Sequence, residues 1–179
     1  HTLDHMSTFC DKVIVYDDGS TDLTSQKAKN SGAIVIRHEK NIGKGKALKS
    51  LFDHLKKLDF DVAVTIDGDG QFLPEEIEIL SEPVLKNNFD LVIGNRFSNL
   101  EQMPRYRKIG NKILDKITKL ASDLPVDDSQ SGFRAYSAKA INLLSVHSSG
   151  FGVDSEILVD AVKKNLKITE QPVTVLYNT

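Results

Sequence analysis

Two aspartates one residue apart, Asp67 and Asp69, follow the apolar run Val64-Thr65-Ile66 and lead into Gly70-Gln71. In an extended segment residues i and i+2 point the same way, and Gly68 lets the backbone come close, so both carboxylates can converge on one cation. Hard oxygen ligands select Mg²⁺ or Mn²⁺, ions that usually bind a few carboxylates together with a substrate's phosphates. Asp and Gly also favour turns for their own reasons, and taken alone the stretch reads as a turn. A second cluster, Asp17-Asp18-Gly19-Ser20-Thr21-Asp22, follows Val13-Ile14-Val15-Tyr16. One of its first two carboxylates, Asp18 before Asp17, could accept a hydrogen bond from a nucleobase imide or a ribose, while Ser20 to Asp22 suit the cap of the next helix. A third, Asn41-Ile42-Gly43-Lys44-Gly45-Lys46, offers glycines and a helix start to an anion. Either lysine could reach a diphosphate, and Lys46 is assigned that role; a solvated turn is the competing reading, and the P-loop pattern is absent.

The elements that must hold these clusters are legible as periodicity. Short runs rich in Val and Ile alternate with segments of helical period, which argues for an α/β domain with a largely parallel sheet. The strands read as Val13 to Tyr16, Ala33 to Arg37, Val62 to Ile66, Leu91 to Gly94 and Ile168 to Val175, apolar enough to be buried on both faces. Ala47, Leu48, Leu51, Phe52, Leu55 and Leu58 form one helical stripe and Ile109, Ile113, Leu114, Ile117 and Leu120 another, both assigned to core packing. Pro74, followed by Glu75 and Glu76, marks a helix start. The polar clusters therefore fall at the C-terminal ends of strands, where open α/β sheets bind ligands.

Composition narrows the function classes. The 179 residues are 40% hydrophobic, enough for one core, with no linker or repeat to divide them. A net charge of −2, from 23 basic and 25 acidic residues, gives no global field to recruit nucleic acid. The one cysteine, Cys10, excludes an intrachain disulfide and reads as a small buried apolar residue; the five histidines show no ligand spacing. No apolar stretch approaches the roughly 18 residues of a membrane span.

Taken in order, Asp17 to Asp22, Asn41 to Ala47, Asp67 to Gln71, Gly94-Asn95-Arg96-Phe97, Asp128 to Arg134 and Gly152 to Glu156 resemble the signature of family-two inverting glycosyltransferases. The last three look like the branch that contains dolichol-phosphate mannosyltransferase and related polyprenyl-phosphate glycosyltransferases. The resemblance runs from about Val13 to Tyr177 and implies a single Rossmann-like GT-A domain, with nucleotide binding in about 11–97 and the acceptor in about 98–179. It also implies an Mg²⁺ or Mn²⁺ ion held by Asp67, Asp69 and Gln71, with Asp67 and Gly68 beside the nucleotide ribose and Asp18 reading the base. Asp128 corresponds to the candidate general base that deprotonates the acceptor, and Asp127 is its rival from sequence. Guanidinium groups bind phosphate in a bidentate manner, so Arg96 and Arg134, with Arg105 and Arg107, are expected to line an acceptor-phosphate pocket. Arg105, Arg107 and Lys108 read equally as a solvated helix start. Glu156 is expected to orient an arginine, touch the acceptor, or form a structural ion pair.

The expected activity is metal-dependent transfer of a hexose from a GDP- or UDP-sugar to a polyprenyl phosphate, with inversion, at the cytoplasmic face of a membrane that the protein touches peripherally. The rivals are transfer to a sugar or protein hydroxyl, a sugar-1-phosphate nucleotidyltransferase, and a non-catalytic nucleotide-binding fragment. Members of the family begin with a strand and helix ahead of the Val13 to Tyr16 strand, whereas this chain shows only what reads as the end of that helix, near Leu3 to Phe9. A protein longer at its N-terminus is expected, with the absent strand central in the sheet.

Overall fold

The computed structural model describes residues 2–97, 126–148, 150 and 152–176. The stripe from Ile109 to Leu120 and the expected phosphate ligands Arg105 and Arg107 lie outside the described residues.

Strands β1 (Ile14–Asp17) and β2 (Ile34–Arg37) pair in parallel, and β3 (Val62–Thr65), β4 (Leu91–Asn95), β5 (Arg134–Ser137) and β6 (Ile168–Pro172) form a second sheet in the order β3-β5-β4-β6. In that sheet β5 is antiparallel to both β3 and β4, and β6 is parallel to β4, so β3, β4 and β6 share one direction and β5 opposes them. The α/β architecture and the mainly parallel strand direction agree with the sequence reading. Strand β5 was not expected. Its four residues, Arg134-Ala135-Tyr136-Ser137, have a charged start and a polar end, and lack the Val/Ile density by which the other strands are recognised.

The core lies on both faces of the second sheet because successive side chains alternate. Leu91, Ile93 and Tyr136 pack on one face with Phe52, Ile141, Leu144, Ile157 and Leu158. Val92, Ala135 and Phe133 pack on the other with Leu80, Ile77, Phe72 and Val173. The first face is covered by α3 (Lys44–Leu55), α5 (Ala138–Leu143) and α6 (Val153–Lys163), the second by α4 (Ile77–Asn87), which follows a 3₁₀ turn at Pro74–Glu76. The short α1 (Thr2–Met6) and α2 (Thr24–Asn30) complete the order. Helix α3 carries the predicted stripe and buries Leu48 and Phe52, but ends before Leu58. Leu91, Val92 and Ile93 have no exposed surface, whereas every residue of β3 is half-buried, as is most of β1.

Candidate active site

Register places the chemistry. Thr65 pairs with Arg134 and Ile93 pairs with the same Arg134, so two residues further along Asp67 and Asn95 flank Gly132 from either side. The Thr65 hydroxyl donates to the Gly132 carbonyl at 3.0 Å, and the Gly94 amide donates to the Phe133 carbonyl at 2.8 Å, which closes the seam. An antiparallel strand inserted between two parallel ones thus delivers the 126–133 loop to the C-terminal ends of β3 and β4. A Cβ at Gly132 would sit 2.2 Å from the nearer Asp67 carboxylate oxygen, so only glycine lets that carboxylate rest there.

Asp67 faces a cation supplied by the chain. The Lys44 ammonium lies 3.3 Å from Asp67 Oδ2 and 3.0 Å from Asp154 Oδ2. Partial burial opposes its charge, but the two carboxylates outweigh that and raise the Lys44 pKa above its ordinary value. Lys46, expected to meet the diphosphate, is exposed, and Lys44 is the lysine that contacts Asp67 and Asp154. The helical spacing carried the signal, since Lys44 stands three and four residues before Ala47 and Leu48 on the inward stripe, and Lys46 lies off it. Asp154, in the first turn of α6, is buried, and of the two residues sequence reasoning left out of the site it is the one nearest the donor motif.

Asp69 is exposed, and its Oδ1 accepts from the Gln71 amide at 3.0 Å. The D-G-D-G stretch is therefore a turn beyond the end of β3, with Asp69 exposed and Asp67 half-buried against Gly132 and Lys44. Among the described residues no three His, Cys, Asp or Glu side chains converge as a metal cluster. The hard-oxygen carboxylates of Asp67 and Asp69, two residues apart and both reached by solvent, nevertheless fit a divalent ion of the kind that draws its other ligands from substrate phosphate and water.

The first two loops are bound to each other. Asp17 is buried and accepts from the Ser20 amide at 2.7 Å and from the Ser25 hydroxyl, with Arg37 Nε at 3.6 Å. Burial opposes its ionisation, yet those hydrogen bonds and the Arg37 charge hold its carboxyl below the usual range. Asp17 thus organises its own turn and does not present a free carboxylate to a base. Asp18 reaches the surface and accepts from His38 Nδ1 at 2.8 Å, the Gly43 amide at 2.8 Å and the Ile42 amide at 3.1 Å. Gly19, at φ +78°, passes so close that a Cβ would lie 2.5 Å from the Asn41 amide nitrogen. Through Asp18 the first loop fixes the entry to α3, and with it Lys44.

On the other side of Gly132, Asp128 is fully buried and grips Arg96. Its Oδ2 accepts from Arg96 Nε at 2.7 Å and from the Arg96 amide at 3.0 Å, and its Oδ1 accepts from Nη2 at 2.7 Å. The amides of Asp127 and Asp128 donate to Glu170 Oε1 at 2.7 and 2.8 Å, and Asn95 Nδ2 donates to Oε2 at 2.8 Å. Glu170 is the second residue missed from sequence; its signal was a carboxylate in mid-strand.

Arg134 also departs from its expected role. It is fully buried, and its guanidinium donates to the carbonyls of Ser131, Asp154 and Ser129 at 2.7, 2.9 and 2.9 Å. An arginine so committed pins the loop to α6 and is not a phosphate ligand here. Glu156 is likewise structural, accepting from the His147 and Ser148 amides at 2.9 and 2.8 Å.

The family model "Glycosyl transferase family 2" matches residues 9–144. The chain belongs to that family. It is 34% identical over 189 residues to the UDP-N-acetylglucosamine–dolichyl-phosphate N-acetylglucosaminyltransferase of Methanococcus voltae, covering 93% of this chain and 75% of that protein. It is 29% identical over 173 residues to the undecaprenyl-phosphate mannosyltransferase of Micrococcus luteus, covering 90% of this chain and 70% of that one. Among solved structures, glucosyl-3-phosphoglycerate synthase from Mycobacterium tuberculosis, in complex with phosphoglyceric acid, superposes with a TM-score of 0.74 at 25% identity, over 99% of this chain and 66% of that one. Another crystal of that enzyme holds Mn²⁺, UDP-glucose and phosphoglyceric acid. The GT-A fold and a hexosyltransferase activity follow for this glycosyltransferase, whose chain spans about two thirds of the solved structure.

Proposed function

We propose that this glycosyltransferase moves a hexose from a UDP- or GDP-sugar to a polyprenyl phosphate with inversion, assisted by Mg²⁺ or Mn²⁺. One observation carries the choice of acceptor: the Asp128 carboxylate is already engaged through both oxygens by Arg96. A carboxylate so bound is a poor base for a hydroxyl. A phosphate monoester has a second pKa near 6, so it arrives largely ionised at neutral pH and needs little deprotonation. The named relatives that act on dolichyl and undecaprenyl phosphate support the same reading.

In this reading Lys44 leaves the Asp67 side of its bridge and meets the donor diphosphate, while Asp154 keeps it oriented. Asp67, Asp69 and Gln71 would hold the divalent ion, with Gly68 giving backbone room; when bound, the ion neutralises charge building on the departing diphosphate. Asp18, which reaches solvent where Asp17 is buried, would exchange loop partners to read the base, and Arg96, positioned by Asp128, meets the acceptor phosphate. The acceptor oxygen attacks the anomeric carbon as the nucleotide diphosphate departs from the opposite side, which inverts the centre. Among the described residues no helix is long and apolar enough to cross a membrane. The lipid acceptor would be met peripherally, at the cytoplasmic face of its membrane.

The likeness to an enzyme crystallised with phosphoglyceric acid favours a second reading, in which the acceptor is a small phosphorylated acid. Product analysis with a panel of UDP- and GDP-hexoses separates the two. Transfer to a short-chain polyprenyl phosphate, lost with EDTA and restored by Mn²⁺, is expected; transfer only to phosphoglycerate would overturn the lipid acceptor.

A further inference from the structure

Glu170 closes a ring of hydrogen bonds that no catalytic role explains. Its side chain, on β6 opposite Ile93, accepts from Asn95 Nδ2 on β4 and from the two amides of Asp127 and Asp128 in the loop before β5. Asp128 then grips the side chain and amide of Arg96, which follows Asn95 in the chain and completes the circuit. The side-chain amide of Asn95 cannot simply turn over, because its Oδ1 accepts from the Phe97 amide at 2.7 Å. A carboxylate is suited to this place because it offers acceptors on both oxygens, toward backbone on one side and a side-chain amide on the other.

We propose that Glu170 is a positioning residue for the acceptor subsite: it fixes the backbone of Asp127 and Asp128, so that Asp128 holds the Arg96 guanidinium at the angle required by the acceptor phosphate. The proposal rests on the reading of Arg96 as the acceptor-phosphate ligand. A loop tethered only at its ends would let Asp128 rotate, and misplacement of about 1 Å at a reacting group costs roughly a hundredfold. Glu170 removes that freedom without touching substrate.

Glu170→Gln tests the ring. The introduced amide can still accept from the two loop amides, but its NH₂ then opposes the NH₂ of Asn95, and one side of the ring opens. Adding Asn95→Asp in the same chain reverses the polarity of that bond and restores it, since the introduced carboxylate accepts from the introduced NH₂ while still accepting from the Phe97 amide. The first readout needs no substrate: the Arg96 Nε–H signal in ¹⁵N NMR, assigned with Arg96→Lys, whose hydrogen exchange is slowed by Asp128. We expect exchange to rise about tenfold in Glu170→Gln and to return toward wild type in the double variant. The second readout is kinetic: acceptor KM up by about tenfold, affinity for UDP with Mn²⁺ within twofold, and rescue by the double variant. Unchanged Arg96 exchange in Glu170→Gln, or equal loss of donor and acceptor affinity without rescue, overturns the positioning role. Failure of the wild-type protein to use polyprenyl phosphate would sink the proposed acceptor instead, and the exchange measurement would still decide the ring.

Discussion

The loops that follow β1, β2 and β3 and the loop that enters β5 bring charged motifs together around Lys44 and Gly132, but they treat the charge in opposite ways. Asp18, Lys44, Asp67 and Asp69 remain partly open to solvent: Asp18 ties the first loop to His38 and to the Ile42 and Gly43 amides, Lys44 bridges Asp67 and Asp154, and Asp69 accepts from Gln71 within its own turn. Asp128 and Arg134 have no exposed surface, and the carboxylate of one and the guanidinium of the other are each held by three hydrogen bonds within the protein. The first arrangement can exchange its internal partners for a ligand at small cost. The second fixes geometry, because an ionised group out of water must keep its partners. The open side is suited to binding and releasing a donor, and the saturated side to holding a subsite still.

The largest effect should come from breaking the saturated side. Arg134→Leu leaves three buried carbonyls without their donor, and we expect a stability loss of roughly 3 to 5 kcal/mol in urea unfolding. Next is the seam between the two sides: Gly132→Ala puts a methyl group where the Asp67 carboxylate rests, and transfer should fall about a hundredfold, measured as kcat/KM, with smaller change in stability. On the open side Lys44→Met should weaken UDP binding about tenfold by calorimetry, the equivalent of one lost charge-assisted contact, whereas Lys46→Ala should stay within twofold.

The smallest effect concerns pH. Asp17 has a folded pKa below its unfolded value, so its ionised form stabilises the protein above the unfolded pKa near 4, and that contribution is lost as pH falls through the folded value. Asp17→Asn should therefore cost about 1 to 2 kcal/mol at pH 7. The gap to wild type should narrow below about pH 4, as read by urea unfolding at both pH values.

What the sequence revealed divides along the same line. Asp17 to Asp22, Asn41 to Lys46 and Asp67 to Gln71 are contiguous, each loop follows a Val/Ile-rich run, and each was legible at its place on the sheet. The saturated side depends on contacts between distant segments: Arg134 reads as a ligand of the acceptor-phosphate pocket until β5 is seen to enter the sheet between β3 and β4. Glu170 acquires meaning only beside Asn95 and the loop amides, through the parallel register of β4 and β6. Lys44 and Lys46 lie between these cases, because local periodicity distinguishes them once the start of α3 is known.

In the proposed arrangement donor and acceptor are held on opposite sides of Gly132, the donor by the open loops and the acceptor by the Asp128–Arg96 pair. Calorimetric titration of UDP with Mn²⁺ onto Asp67→Asn and Arg96→Lys tests that division most directly. It predicts at least about tenfold weaker UDP binding for Asp67→Asn and a change within twofold for Arg96→Lys; equal weakening in both, or weakening in Arg96→Lys alone, would contradict it.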